Sequence, residues 1–219
     1  PWFILNPDVI LDGELYNHSL KDDFNKIISL VRKTKPTDED RLEAAQYTEF
    51  HCYDAMNIGL IEPTFQNRYN FIAKNVPNNH TIKHVETNRV HKHEEALDMH
   101  HNHHLVNGYE GSIVRTNDPY VNKRSHNLRK FKDFHDTEAT IEGWVEGKGK
   151  RKGTIGKFLA VDDEGNKFGM PVMDKFKYLQ NMFTEMQSWV GKRATFTYFE
   201  RTPAGSYRHP LFKTLRNYE

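Results

Sequence analysis

Beyond Lys132 the sequence breaks into short runs that alternate apolar and polar residues, and no other feature restricts the fold as strongly. Thr137 to Val145, Thr154 to Val161, Lys167 to Met170, Lys192 to Phe199 and Tyr207 to Thr214 each read as a strand. Alternation with period two puts one side of an extended chain against a core. One helical stretch, Lys175 to Trp189, interrupts them. Five strands and a helix in about 80 residues have the content of a small β-barrel.

The preceding residues have a different texture. Apolar segments at 2 to 5 and 9 to 16 read as strands, and Ser19 with Asp22 three residues on resembles a capping box. Phe24, Ile27, Ile28 and Val31 then fall at helical spacing, with Pro36 as the stop. Tyr47 to Tyr53 reads as a strand. Pro63 opens a second helix striped by Phe65, Tyr69 and Ile72. A polar passage from Asn75 to Asn79, a strand at 81 to 86 and a helix from Lys92 to Val106 closed by Gly108 complete the first part. Residues 1–132 thus read as an α+β domain and residues 137–219 as an all-β domain of OB type, joined by Lys132-Asp133-Phe134-His135-Asp136.

With 37% hydrophobic and 28% charged residues, a chain of 219 residues can bury a core. Its 31 Lys+Arg against 30 Asp+Glu leave no overall bias toward polyanions, so a nucleic-acid surface must come from local clustering. Such clusters exist at Lys123 to Lys132 and Lys148 to Lys152. The single cysteine, Cys52, excludes an internal disulfide and fits a reducing, cytoplasmic setting. No stretch approaches the apolar length of a membrane span. Pro1-Trp2-Phe3-Ile4-Leu5 begins without Met and enters strand-like sequence at once, from which a truncated N-terminus is expected.

Asp12-Gly13-Glu14 puts two carboxylates on one strand face, and the glycine between them is expected to admit a ligand closely. Solvated acids at a strand end explain the same residues. Glu110-Gly111-Ser112-Ile113-Val114-Arg115 repeats the device, with Glu110 expected on a buried strand. Lys130 and Lys132 share a strand face with Leu128, where a common phosphate would relieve their repulsion. A solvated basic edge is the plainer account. The loop Gly147-Lys148-Gly149-Lys150-Arg151-Lys152-Gly153 suits backbone phosphates, or is a charged turn. His100 and His104, with His101 and His103 beside them, have the i, i+4 spacing of a zinc half-site, against the alternative of a solvated helix face. Cys52 reads as an ordinary buried thiol.

Taken in order, Asp-Gly-Glu, the aromatic-Asp strand Phe50-His51-Cys52-Tyr53-Asp54, Glu-Gly-x-Ile-Val-Arg, Leu128-x-Lys130-x-Lys132 and a barrel opening on Glu138-Ala139-Thr140-Ile141 resemble the ATP-dependent DNA ligases of the covalent nucleotidyltransferase superfamily. The resemblance spans almost the whole chain and points to the small viral or bacterial type. It implies an ATP-grasp-like nucleotidyltransferase domain, truncated at its start and followed by an OB-fold domain. It further implies a monomer that seals nicks in duplex DNA through enzyme-adenylate and DNA-adenylate intermediates, using ATP and Mg²⁺. By the same resemblance Glu14 and Glu110 hold metal, Asp12 and Tyr53 contact the nucleotide, with Tyr53 stacked on adenine, and Lys130 and Lys132 contact its phosphate. Arg208-His209-Pro210-Leu211-Phe212-Lys213-Thr214-Leu215-Arg216 looks like the family's last motif, from which Arg208 and Arg216 would orient pyrophosphate. Arg124, Lys148, Lys150, Arg151 and Lys152 are the expected DNA contacts.

One departure stands out. The family's nucleophilic lysine lies in a Lys-x-Asp-Gly motif, and these 219 residues contain none, since Lys21-Asp22-Asp23 lacks the glycine. A fragment cut after that motif is the expectation, so the chain as given would not self-adenylate. The rivals are an RNA ligase or capping guanylyltransferase, and a non-catalytic duplex-binding protein that kept the fold.

Overall fold

The structure, a computed structural model, describes residues 2–202 and 204–216. The chain divides between Phe131 and Lys132 into two compact units. No helix among the described residues is long and apolar enough to cross a membrane.

The first unit is organised on a three-stranded sheet of order β1-β2-β3, with β1 Ile10–Tyr16 antiparallel to β2 Glu49–Met56 and β3 Ile82–His84 parallel to β2. Trp2–Leu5 forms a single helical turn rather than the expected strand. Four consecutive apolar residues carry no period-two signal, and the Asn6 side chain closes the turn on the Trp2 carbonyl at 2.9 Å. The expected Ser19 cap is also displaced. Asn17 caps a short 3-10 turn instead, and Asp23 caps helix α1 (Phe24–Val31) by accepting from the Lys26 amide. Ile27 and Leu30 are the buried residues of α1, whereas Val31 is exposed; the Phe24 side chain lies outside the described part. Helix α2 (Asp38–Tyr47) lacks an apolar stripe altogether and is set by a Thr37/Asp40 capping box with three acids in its first turn.

Helix α3 (Phe65–Asn75) is capped by Thr64 paired with Asn67, which leaves Pro63 just outside. Its Ile72 packs with Cys52, Ala55 and Val76, the core of this unit. Helix α4 (His93–Asp98) widens into a π-helical turn, Met99–His104, and Gly108 at φ +81° closes the segment. A separate hairpin follows, β4 Ser112–Arg115 against β5 Leu128–Phe131.

The second unit is a five-stranded antiparallel sheet of order β10-β9-β6-β7-β8, formed by β6 His135–Glu146, β7 Ile155–Val161, β8 Lys167–Pro171, β9 Arg193–Tyr198 and β10 Leu211–Leu215. Helix α5 (Phe176–Thr184) sits in sequence between the third and fourth strands. This is the strand count and helix placement of an OB-type barrel. Its core holds Ile141, Ile155, Phe158, Met170, Leu179, Phe196 and Tyr207. The last strand starts at Leu211 rather than Tyr207, because His209 takes φ +52° and Pro210 has no N–H to donate. Asp162 ties the β7–β8 turn down. Its carboxylate accepts from the Asn166 amide at 2.8 Å, the Glu164 amide at 3.0 Å and the Tyr207 hydroxyl at 2.8 Å.

Candidate active site

In the first unit an irregularity in the β1–β2 ladder builds the site. Gly13 pairs with Cys52 but Asp12 pairs with Asp54, so Tyr53 is the extra residue of a β-bulge. In unbroken register Asp54 would have stood across from Leu11. The bulge sets it across from Asp12 instead, two carboxylates face to face, an arrangement that repels unless cations are supplied.

Two arginines supply them. Arg68, from α3, donates through Nε to Asp54 Oδ1 at 2.7 Å and through Nη2 to Oδ2 at 3.2 Å. Arg115, the last residue of β4, donates to the same Oδ2 at 2.5 Å. Asp54 is fully buried and Arg68 only 3% exposed. Removing one member of such a buried pair costs about 3–5 kcal/mol, because the other charge is left without water or partner. Asp12 accepts from the Tyr120 hydroxyl at 2.8 Å. Burial, that hydrogen bond and the negative charges of Asp12 and Asp54 push the Tyr120 phenol up to about 12. These side chains line a cavity of about 400 Å³ whose remaining walls include Lys123, Arg124 and Lys130. Lys130 and Arg124 are exposed and form no ion pair among the described residues, which leaves the cavity with cations available to an anionic ligand.

The expected site residues fall into three groups. Asp12, Arg124 and Lys130 line the cavity. Glu14 and Glu110 are exposed, and Glu110 lies in the bend before β4 rather than on a buried strand. Both carboxylates act on one phenol. Tyr16 is pushed up to about 12, first by burial and then by Tyr109, Glu110 and Glu14. Tyr53 has the Arg115 guanidinium over its ring at 4.9 Å. Lys132 does not share a strand with Lys130, because β5 ends at Phe131; in the second unit its ammonium lies 4.3 Å over the Phe199 ring.

Arg208 and Arg216 both belong to the second unit, ion-paired with Glu200 and Glu138 respectively. Lys148, Lys150, Arg151 and Lys152 are all exposed on a turn containing one 3-10 segment, Gly149–Arg151, and none pairs with an acid among the described residues.

Two expectations change in detail, and the reading of Cys52 as a buried thiol holds. Gly13 does not open space for a ligand; a Cβ there would lie 2.5 Å from the His51 carbonyl and 2.6 Å from the Phe50 ring. His100 is not on a solvated face, being 2% exposed. Its Nδ1 and that of His104 lie 2.8 and 2.6 Å from the Ser112 hydroxyl, so the pair clamps the start of β4. Burial, then His103 and His100, lowers the His104 pKa. The Cys52 thiol is pushed up to about 11 by burial, which makes it unreactive.

Arg68, Arg115 and Tyr120 were not among the sequence candidates. The one signal available for Arg68 was a cation i−4 from a core isoleucine on a helix.

Residues 3–132 match the ATP dependent DNA ligase domain. The chain belongs to this family. The match falls almost wholly on the first unit, which ends at Phe131. A DNA ligase of Methanopyrus kandleri is 28% identical over 149 residues, 64% of this chain and 26% of its own length. The chain therefore spans about a quarter of that relative. A solved structure from the Lig E DNA ligases superposes with a TM-score of 0.73 at 25% identity, covering 98% of this chain and 80% of that one. The structure named Pmar-Lig_Pre gives the same TM-score at 19% identity, over 99% of this chain and 54% of its own, a likeness of fold. The ligase domain is thus a nucleotidyltransferase-type α+β fold followed by a β-rich domain.

Proposed function

We propose that this chain carries the adenylate pocket and DNA-gripping barrel of an ATP-dependent DNA ligase that seals nicks in duplex DNA. The observation that carries this reading is the family match across 3–132; the motifs within that span that resemble the family's include Asp12, Glu14, Tyr53, Glu110 and Lys130. The Lig E structure was described in terms of DNA binding with a minimal scaffold, which supports DNA as the partner. Glu14 and Glu110 would hold Mg²⁺, which when bound offsets negative charge on the phosphate oxygens. Asp12 and Tyr53 face the nucleotide, and Lys130 neutralises the phosphate. Arg208 and Arg216 would exchange Glu200 and Glu138 for pyrophosphate. Arg124, Lys148, Lys150, Arg151 and Lys152 contact the DNA backbone.

The chemistry has three stages. A lysine attacks the α-phosphorus of ATP and pyrophosphate leaves; AMP passes to the 5′-phosphate of the nick; the 3′-hydroxyl attacks that phosphorus and AMP leaves. Charge builds on phosphate oxygens at each stage, so positioned cations lower the barrier chiefly by electrostatics. The third stage needs no enzyme nucleophile. Asp-Gly occurs once in these residues, at Asp12-Gly13, with Ile10 where the motif lysine would stand. The test therefore supplies a pre-adenylated nick with Mg²⁺ and no ATP. Sealing with release of AMP is expected from the chain as it is. A chain that binds the nick but yields no sealed strand is instead the non-catalytic duplex binder.

A further inference from the structure

Among the residues around the cavity, Arg68 has all of its guanidinium nitrogens engaged with protein. Nε and Nη2 hold Asp54, while Nη1 donates to the Pro63 carbonyl at 2.6 Å and the Asp118 carbonyl at 3.1 Å. Its carbon lies 5.6 Å from the centres of the Phe65 and Tyr120 rings. One side chain therefore ties together helix α3, the bulge of β2 and the loop between β4 and β5. Arg115, by contrast, has a single hydrogen bond to Asp54 and otherwise lies over Tyr53 at 4.9 Å and Phe65 at 5.3 Å. Its guanidinium is aimed by Asp54, and Asp54 is aimed by Arg68. The same loop is held a second time, by the Gln66 amide on Asn117 Oδ1 at 2.8 Å.

We propose that Arg68 is the positioning residue of this site: through Asp54 it aims the Arg115 guanidinium into the cavity, and through the Asp118 carbonyl it holds the loop that presents Lys123 and Arg124, so that a phosphate-bearing ligand meets cations already in place. Arg115 touches the ligand; Arg68 does not. A planar fork is required for this, because a lysine in its place has one nitrogen and cannot bridge both Asp54 oxygens while also reaching two carbonyls. Cations fixed before the ligand arrives cost no reorganisation when it binds, and for that reason a buried residue in the cavity wall, its nitrogens all held by protein, governs affinity. This assignment rests on the ligase reading for the identity of the ligand, ATP, and on the geometry alone for the role of Arg68.

The test uses the whole chain, with ATP as the probe in calorimetry and the Arg115 Nε–H resonance in NMR as a readout that needs no ligand. Arg68→Lys should weaken ATP binding at least tenfold and shift the Arg115 resonance toward that of a solvent-exposed arginine. Arg115→Lys should weaken ATP binding to a similar extent, and the double variant should be no worse than either alone, since both act through one group. If Arg68→Lys does not fold, Asp54→Asn serves. It keeps an oxygen for Arg68 Nε and the Ala55 amide but loses the charge that aims Arg115, and should give the same two changes. Additive losses, or an Arg115 resonance unmoved in the variants that fold, would overturn the proposal. A wild-type chain that binds no ATP while Arg68→Lys still moves Arg115 would sink the ligand assignment and leave the positioning role standing.

Discussion

Gly13 offers a quantitative check on how the carboxylate strand is built. A methyl group at this position would meet two obstacles, the His51 carbonyl oxygen at 2.5 Å and the tip of the Phe50 ring at 2.6 Å. Phe50 can tilt, but the His51 oxygen is backbone in the β1–β2 ladder and moves only if the ladder moves. Overpacking of this kind costs about 1–3 kcal/mol, and a backbone obstacle puts Gly13→Ala at the upper end, about 3 kcal/mol. That corresponds to roughly a 150-fold rise in local opening, at 1.4 kcal/mol per factor of ten. Hydrogen exchange followed by mass spectrometry resolves the two units, which a single melting curve would merge. Amides of β1 and β2 should exchange faster by about that factor, and those of β6 to β9 should be unchanged. Combining Gly13→Ala with Phe50→Leu should recover only about 1 kcal/mol, since the carbonyl remains. If Gly13→Ala exchanges within fivefold of wild type, the glycine is not there for packing, and the original expectation of a close ligand approach regains its force.

Other outcomes follow from the site and the barrel. With labelled ATP and Mg²⁺ the chain should form no acid-stable AMP adduct; an adduct would place the nucleophile within these 219 residues. On a pre-adenylated nick, Glu110→Ala and Lys130→Ala should each slow sealing about a hundredfold or more, and retained rates in both would remove them from the site. Neutralising Lys148, Lys150, Arg151 and Lys152 should lower the slope of log affinity against log salt by about 3–4, whereas an unchanged slope returns them to a solvated turn. Burial alone would raise the pKa of Asp162, but hydrogen bonds from Asn166, Tyr207 and Glu164 outweigh it and hold the group below the ordinary carboxylate range. A depressed native pKa contributes stability that is complete above the unfolded value of about 3.9 and is lost as pH falls through the native one. Below about pH 4 the second unit should therefore lose thermal stability, and Asp162→Asn should start lower but decline less steeply; parallel melting curves would refute this.

Much of the second unit was legible because each strand carries its own signal. Period-two alternation between Thr137 and Val145 or Thr154 and Val161 is local, and barrel closure only has to collect it. In the first unit the signals were weaker where tertiary contacts decide. Helix α2 has no buried residue and no apolar stripe, so the sequence reading passed over it. Trp2 to Leu5 was apolar enough for a strand, yet Asn6 turned it.

The sequence by itself determined the order of motifs, the two-part chain and the family resemblance, because those depend on which residues occur and in what succession. Tertiary structure alone decided which charges meet. Tyr53 becomes an extra residue only when β2 pairs with β1, and that one-residue slip carries Asp54 across from Asp12 and into reach of Arg68 and Arg115, 14 and 61 residues away. A carboxylate opposite a carboxylate is stable only with those cations, and no local pattern records a partner so distant.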